Sequence, residues 1–197
     1  MSDTARGATF RDEDWYAEDL SGHRYVDCVF RDVDLTEAHG SGVVFQSCTF
    51  ENTRFNAAVL DAPAFVGCDV RRTSFFGATL RGAKLSGSVF VDCTLRPVTV
   101  EGGLWQGVTL RGAKLAQVDL TGVSLNDADL TDADLTDAVL AGCDLSTAVL
   151  RNADLSGADL RGATLHGVSL VDVRLRGTRL DLAGAGQLAE QHGAVVA

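Results

Sequence analysis

Every fifth residue from Phe10 to Leu180 is large and apolar, and among these thirty-five positions the one departure is Gly40. The frame never slips. A period of five matches neither a helix of 3.6 residues per turn nor a strand of period two, so it has to be read as a repeat architecture. The residue two before each large one is mostly small or β-branched, as at Ala78, Val108, Ala128 and Ala158. The residue just before it is often Asp, Thr or Ser, and the second one after it is commonly Gly. One large and one small inward residue per pentad, followed by a turn former, suit one side of a narrow solenoid with a turn after each side.

Stretches such as "ADLTDADLTDAVLAGCDL" and "ADLSGADLRGATL" show the rule undiluted. They resemble the pentapeptide-repeat family, whose consensus is A-(D/N)-L-X-X, and the resemblance runs from Ala8 to Leu182. It implies an all-β solenoid: a right-handed quadrilateral β-helix with four pentads, hence twenty residues, to a coil. Thirty-five pentads would then make about nine coils stacked ~4.8 Å apart, a rod on the order of 40 Å long. Residue types do recur at a spacing of twenty: Phe10, Phe30, Phe50 and Phe90 share one side, and Cys28, Cys48 and Cys68 share its small inward position. The N-terminal half is Phe-cored and the half from Leu110 onward is Leu-cored.

This gives a disordered tail over 1–7, the β-helix over 8–182, and a C-terminal capping or dimerisation helix and tail over 183–197. Leu182, Ala185, Leu188 and Ala189 have helical spacing, Gly193 is placed to end the helix, and Val195 and Val196 make an apolar tail. Leu182, Leu188, Val195 and Val196 are the expected lid or dimer contact on an open solenoid end. The N-terminus has no apolar signal region and no stretch reaches transmembrane length, so a cytoplasmic protein without membrane contact is expected.

All five cysteines (Cys28, Cys48, Cys68, Cys93, Cys143) fall at the small inward position. They read as core packing, the alternative being a metal or redox site, for which the usual zinc-ligand spacing is missing. Glu13, Glu18 and His23 take the small position in the first coil, a frayed cap in one reading and a metal site in the other. No cofactor, metal or catalytic residue is expected, because no phosphate-binding glycine loop, ligand cluster or nucleophile motif is present. Gly40 should leave a gap in the core for a neighbour to fill, and Pro97 and Glu101-Gly102-Gly103 depart from the repeat.

The formal charge of −10 is unevenly spread. Asp119, Asp127, Asp129, Asp132, Asp134, Asp137, Asp144, Asp154 and Asp159 stand against a single cation, Arg151, so this window alone carries −8. It spans two coils, about 10 Å of rod, which equals or exceeds the charge density of duplex DNA at one per ~1.7 Å. Asp before the large residue has a structural explanation in turn chemistry, whereas Asp127, Asp132 and Asp137 replace the usual Gly. Those three lie on successive sides and so ring the rod. Arg11, Arg31, Arg71, Arg111 and Arg151 form a column with Glu51 on one missing rung, a solvated ladder more readily than a nucleic-acid site.

A narrower resemblance lies in "GSVFVDCTLRPVTVEGGLWQGVTLRGAKL" (Gly87 to Leu115), in "FRDEDWYAEDLS" (Phe10 to Ser21) and in the ending "RLDLAGAGQLAEQHG". These resemble the MfpA/Qnr/AlbG group of DNA-gyrase-interacting resistance proteins. The resemblance implies a homodimer joined at its C-terminal ends that imitates duplex DNA in the saddle of DNA gyrase. It implies inhibition of the enzyme, or protection from quinolone-like drugs or toxins, with no direct contact to nucleic acid. The acidic belt would be the contact. The alternative is a non-catalytic adaptor whose flat sides hold another protein, such as a small GTPase.

Overall fold

The computed structural model describes residues 4–196. Its strands, in chain order, are β1 (Thr4–Arg6), β2 (Thr9–Arg11), β3 (Arg24–Val26), β4 (Val29–Arg31), β5 (His39–Ser41), β6 (Val44–Gln46) and β7 (Thr49–Glu51). They continue with β8 (Val59–Asp61), β9 (Ala64–Val66), β10 (Asp69–Arg71), β11 (Thr79–Lys84), β12 (Val89–Val91) and β13 (Thr99–Leu104), and one helix follows, α1 (Leu182–Gln191). Pairing is parallel and offset by twenty residues, from Thr4 beside Arg24 and Phe10 beside Phe30 down to Asp159 beside Arg179. One side is the ladder β2-β4-β7-β10-β12. β1, β3, β6 and β9 make a second and β5, β8, β11 and β13 a third, joined where β11 turns a corner and Lys84 pairs with Ala64. Single bridges from Asp14 through Asp34, Arg54 and Ser74 to Thr94 complete the fourth.

The side chains explain why such short strands hold. Phe30, Phe45, Phe50, Phe55, Phe65 and Phe75 are fully buried on the rod axis. Each lies on its counterpart one coil away: Phe30 on Phe50 at 4.7 Å, Phe45 on Phe65 at 4.9 Å, Phe55 on Phe75 at 5.1 Å between ring centroids. Burial of each such ring contributes roughly 1.5–3 kcal/mol, with a further ~0.5–1.5 kcal/mol from stacking. The thiols pack in the same layer and donate to carbonyls of the preceding coil, as Cys48 Sγ does to Tyr25 O at 3.4 Å and Cys143 Sγ to Leu120 O at 2.9 Å. Burial pushes the thiols of Cys93 and Cys143 up to about 11.

The expectation of about nine like coils needs one correction. Regular strands occupy only about five turns, the length of the β2–β12 ladder. The turn hydrogen bond that closes some corners of the first half, such as Ala38 N to Leu35 O (3.1 Å), recurs at nearly every corner from Trp105 onward, as Val108 N to Trp105 O (3.2 Å) and Ala113 N to Leu110 O (3.1 Å). The corner residues still donate to the next coil, as Gly107 N does to Asn126 O (2.9 Å), and single bridges at the same spacing carry the rod onward.

Two further findings concern the ends. The tail expected over 1–7 already belongs to the solenoid from Thr4, because Thr4–Arg6 pairs with Arg24–Val26; residues 1–3 lie outside the described residues. At the other end α1 caps the last coil, and of the residues expected as lid or dimer contact Leu188 is the one that faces the rod. Leu182 is 93% exposed and Ala185 also faces outward, while Gly184 is buried against Leu165 and Leu180 and Leu188 packs on the core. Asp181 caps the helix by accepting from Gly184 N (2.9 Å) and accepts from Gly162 N (3.0 Å) with its other oxygen, tying the helix to the rod. Gly193, at φ 84°, follows the helix as expected.

Nor does Gly40 leave a gap. At φ 148° it lets the preceding coil close in, and a Cβ there would stand 2.7 Å from Ser21 N and 3.0 Å from Leu20 C. Gly40→Ala should therefore destabilise the rod by at least ~2 kcal/mol, against about 1 kcal/mol for Gly22→Ala, whose Cβ would meet nothing. Urea melts of the two variants test this; equal losses would mean that the close approach of Leu20 and Ser21 is not rigid.

Candidate functional site

The acidic belt is built by the corner and by the position before each large residue. The second residue after a large one adopts a left-handed conformation: Asp127 has φ 59°, Asp132 60° and Asp137 56°, like Gly122 at 68° and Gly142 at 66°. Aspartate tolerates this region better than most side chains, but Ala57, Arg72, Gln117 and Thr147 occupy equivalent corners. Geometry thus accepts aspartate at these corners without demanding it. The three side chains are exposed at successive corners. Asp127 Oδ1 accepts from Thr147 Oγ1 (2.5 Å) and Asp132 Oδ1 from Asn152 Nδ2 (3.1 Å), one coil away.

The other six are turn residues. Asp119, Asp129, Asp134, Asp144, Asp154 and Asp159 each accept the backbone N–H two residues on, at 2.9–3.2 Å. Cations answer three of them: Arg111 lies 3.4 Å from Asp129, Arg174 2.8 Å from Asp154, and Arg161 2.6 Å from Asp159. Asp119, Asp127, Asp132, Asp134, Asp137 and Asp144 have no ion-pair partner among the described residues. The fold brings Asp134 beside Asp154 and sets Asp119 and Asp159 on one side with Val139 between them. Asp129 and Asp144 lie on the remaining two sides, so the nine carboxylates encircle the rod and do not converge on a point.

Four of the nine are held ionised by their neighbours. The Ser156 hydrogen bonds and Arg174 hold Asp154 down at about 2, and Arg161 does the same for Asp159. Hydrogen bonds from Ser146 lower Asp144; Asp129 is lowered too, its partial burial outweighed by Thr131 and Arg111. The Arg column is largely neutralised: Arg31 pairs with Glu51 at 2.9 Å and Arg71 with Asp69 at 2.9 Å. Glu13, one member of the N-terminal trio, accepts from Trp15 Nε1 at 2.8 Å. No group of three or more potential metal ligands occurs among the described residues.

Of the expected end contacts, Leu182, Val195 (92% exposed) and Val196 (54%) face outward, whereas Leu188 seals the core. Sequence reasoning missed Gln187 and Gln191. Gln187 Nε2 donates to Leu165 O (2.8 Å) and Val168 O (3.0 Å); Gln191 donates to Val168 O (2.7 Å) and accepts from Leu170 N (2.7 Å). They satisfy the open edge of the last coil. Their separation of four, which puts both on one helix face, was the signal available.

A family model described as pentapeptide repeats matches residues 26–61, 54–92, 106–142, 128–167 and 143–181. No curated protein matches the chain in sequence. Among solved structures, two trypsin-treated variants of QnrB1, a plasmid-mediated fluoroquinolone resistance protein, are similar. One gives TM-score 0.72 at 19% identity over 98% of this chain and 100% of that one; the other gives 0.73 at 20% over 98% and 99%. Full-length QnrB1 gives 0.60 at 22% identity over 97% and 100%. At these identities the likeness is one of fold.

The depressed carboxylates make stability depend on acid. Asp34, beside Arg54, Asp154 and Asp159 titrate near 2 when folded against an ordinary 3.8. Their stabilisation is complete above about pH 4 and is lost as pH falls toward about 2. Melting temperature should hold steady from neutral pH down to about 5 and then drop between about 4 and 2, with a shallower drop in Asp154→Asn. A flat profile to pH 2 would contradict these assignments.

Proposed function

The chain belongs to the pentapeptide-repeat family, and on that premise we propose that it acts by binding, as a mimic of duplex DNA that occupies the DNA-binding surface of DNA gyrase. The observation that carries this reading is the ring of unpaired carboxylates at Asp119, Asp127, Asp132, Asp134, Asp137 and Asp144. Within about 10 Å of rod the belt Asp119–Asp159 reaches the charge density of a duplex. A ring of charge presents carboxylates to every side of a saddle, as the phosphates of a double helix do. Complementarity of this kind raises the association rate and fixes register more than it adds affinity.

A homodimer through the C-terminal ends completes the reading. Leu182, Val195 and Val196 leave apolar surface at the end of the rod, which a second copy covers. Joining there brings two acidic belts toward the middle of a rod of twice the length. The likeness in fold to a fluoroquinolone resistance protein supports a topoisomerase as partner. The outcome is inhibition of gyrase, or its protection from drugs that trap cleaved DNA, in the cytoplasm and without catalysis. No helix among the described residues is long and apolar enough to cross a membrane.

Gyrase supercoiling, with drug-induced cleavage read in parallel, is the test. The native chain should inhibit supercoiling or lower quinolone-induced cleavage. The triple variant Asp127→Asn, Asp132→Asn, Asp137→Asn keeps residues suited to left-handed corners, so it should melt within a few degrees of the native chain. It should be about tenfold weaker on gyrase, as expected from removing three charges from an electrostatic contact. Unchanged potency would remove the belt from the interface. If the native chain has no effect on gyrase at all, the adaptor reading, with a protein such as a small GTPase on a flat side, takes its place.

A further inference from the structure

The hydrogen-bond ladder between successive coils is interrupted along two adjoining sides in the middle of the rod. Along most of the rod the N–H of a large inward residue reaches the carbonyl nineteen positions on, as Phe90 N does to Thr109 O at 2.9 Å and Trp105 N to Ser124 O at 2.8 Å. Between these two rungs the pattern fails: Asp92, Leu95, Val100 and Gly102 make no such bond to Arg111, Lys114, Asp119 and Thr121. The coil stays attached on its other side, through Thr94 N to Thr73 O (3.0 Å) and Thr99 N to Ala78 O (2.9 Å).

The cause is Pro97. It stands at a corner where the neighbours Asp92 and Gly102 have φ of 53° and 64°, a conformation its ring forbids, and it has no N–H for the rung. The matches to the family model break off at residue 92 and resume at 106, the same interval.

The result is a wedge-shaped opening into the core. Its outer part is a cleft of about 240 Å³ with Phe90, Cys93, Leu95 and Ala113 as an apolar floor and Asp92, Arg111 and Lys114 around the lip. Cys93 and Ala113 are partly exposed, although Cys48 and Ala133, at the same inward position, are buried. Phe90 and Leu95 also line a cavity of about 10 Å³ behind the cleft, and Trp105 forms part of its wall. Trp105 is only 3% exposed, yet its indole N–H has no acceptor. The lip carries two cations and one carboxylate, Asp92: Lys114 has no ion-pair partner among the described residues, Arg111 holds Asp129 only at 3.4 Å, and nearby Arg96 reaches Gln117 at 3.4 Å, so cations are in excess at this rim of a chain of charge −10.

We propose that this wedge is a binding site for a small organic acid, an aromatic carboxylate of one or two fused rings. The ring lies on Phe90, Leu95 and Ala113, and the carboxylate meets Arg111 and Lys114 at the lip. The size excludes larger ligands, since drug-sized pockets begin at about 300 Å³. Charge-assisted hydrogen bonds to an ionised group are roughly twice as strong as neutral ones, which selects the acid over its neutral analogue.

Cys93 in the floor reports occupancy. The full chain is alkylated with iodoacetamide, with modified cysteines mapped by peptide mass spectrometry, in a titration with 2-naphthoate and, separately, with neutral 2-naphthylmethanol. Cys93 should react before Cys28, Cys48, Cys68 and Cys143, and 2-naphthoate should protect it saturably with a dissociation constant below about 1 mM. The alcohol should protect about tenfold less well, and so should 2-naphthoate toward the surface double variant Arg111→Gln, Lys114→Gln. Ala113→Leu, which fills the floor, should abolish protection while the circular dichroism spectrum is kept. A Cys93 no more reactive than the others would mean a closed wedge and would overturn the proposal. So would protection that is absent, or indifferent to the carboxylate and to the lip variants.

Discussion

The rod depends on one backbone feature, a left-handed residue at every corner but those of Pro97 and Asp172 among the described residues. A chain that turns every five residues and stacks at twenty must reverse its pleat without a loop, and positive φ achieves this within a single residue. Asp27, Asp32, Asn52, Gly67 and their equivalents supply it with little side-chain cost or none. With the corners fixed, every large residue lands on its counterpart in the next coil, and the Phe and Leu columns form the core. Pro97 illustrates the requirement by violating it. Its ring excludes the corner conformation, the rungs on either side are lost, and inward residues that are sealed elsewhere meet solvent.

Because the corner tolerates many residues, charge there is free to serve something other than folding. The six aspartates before large residues are held by the turns that they close, so their presence follows from the repeat. The three at corners do not follow from it: Gly, Thr, Gln and Arg fill the same position elsewhere in the rod. Concentrating carboxylates against so few cations costs some self-repulsion. The stacked Phe and Leu columns of the core are what offset it.

A solenoid also has two open ends, each with unpaired backbone groups. The ends here are managed differently. Helix α1 closes the C-terminal one with the amides of Gln187 and Gln191 on backbone groups of Leu165, Val168 and Leu170, and its outer face keeps Leu182 exposed. At the N-terminal end a cluster of Phe10, Trp15 and Tyr25 covers Phe30 with edge-on and stacked rings, and Glu13 takes the indole N–H.

The period of five, the twenty-residue recurrence of Phe and Cys and the density of aspartate are properties of the sequence alone, and they determine the solenoid and the position of its charge along the axis. A period is a one-dimensional quantity, and inward and outward positions follow directly from it. What the sequence could not decide depends on contacts between coils. Spacing left open whether Leu182 would cover the rod or face a second copy, and in the folded chain it points outward while Leu188 packs on the core. The absent side chain at Gly40 suggested a gap, yet the neighbouring backbone moved in to occupy it. Pro97 was visible as a departure, whereas its effect, a wedge reaching Trp105, arises because a lost corner is felt as missing bonds to a coil twenty residues away. Only the tertiary structure settles such matters, since the energy of a rung belongs to two coils at once.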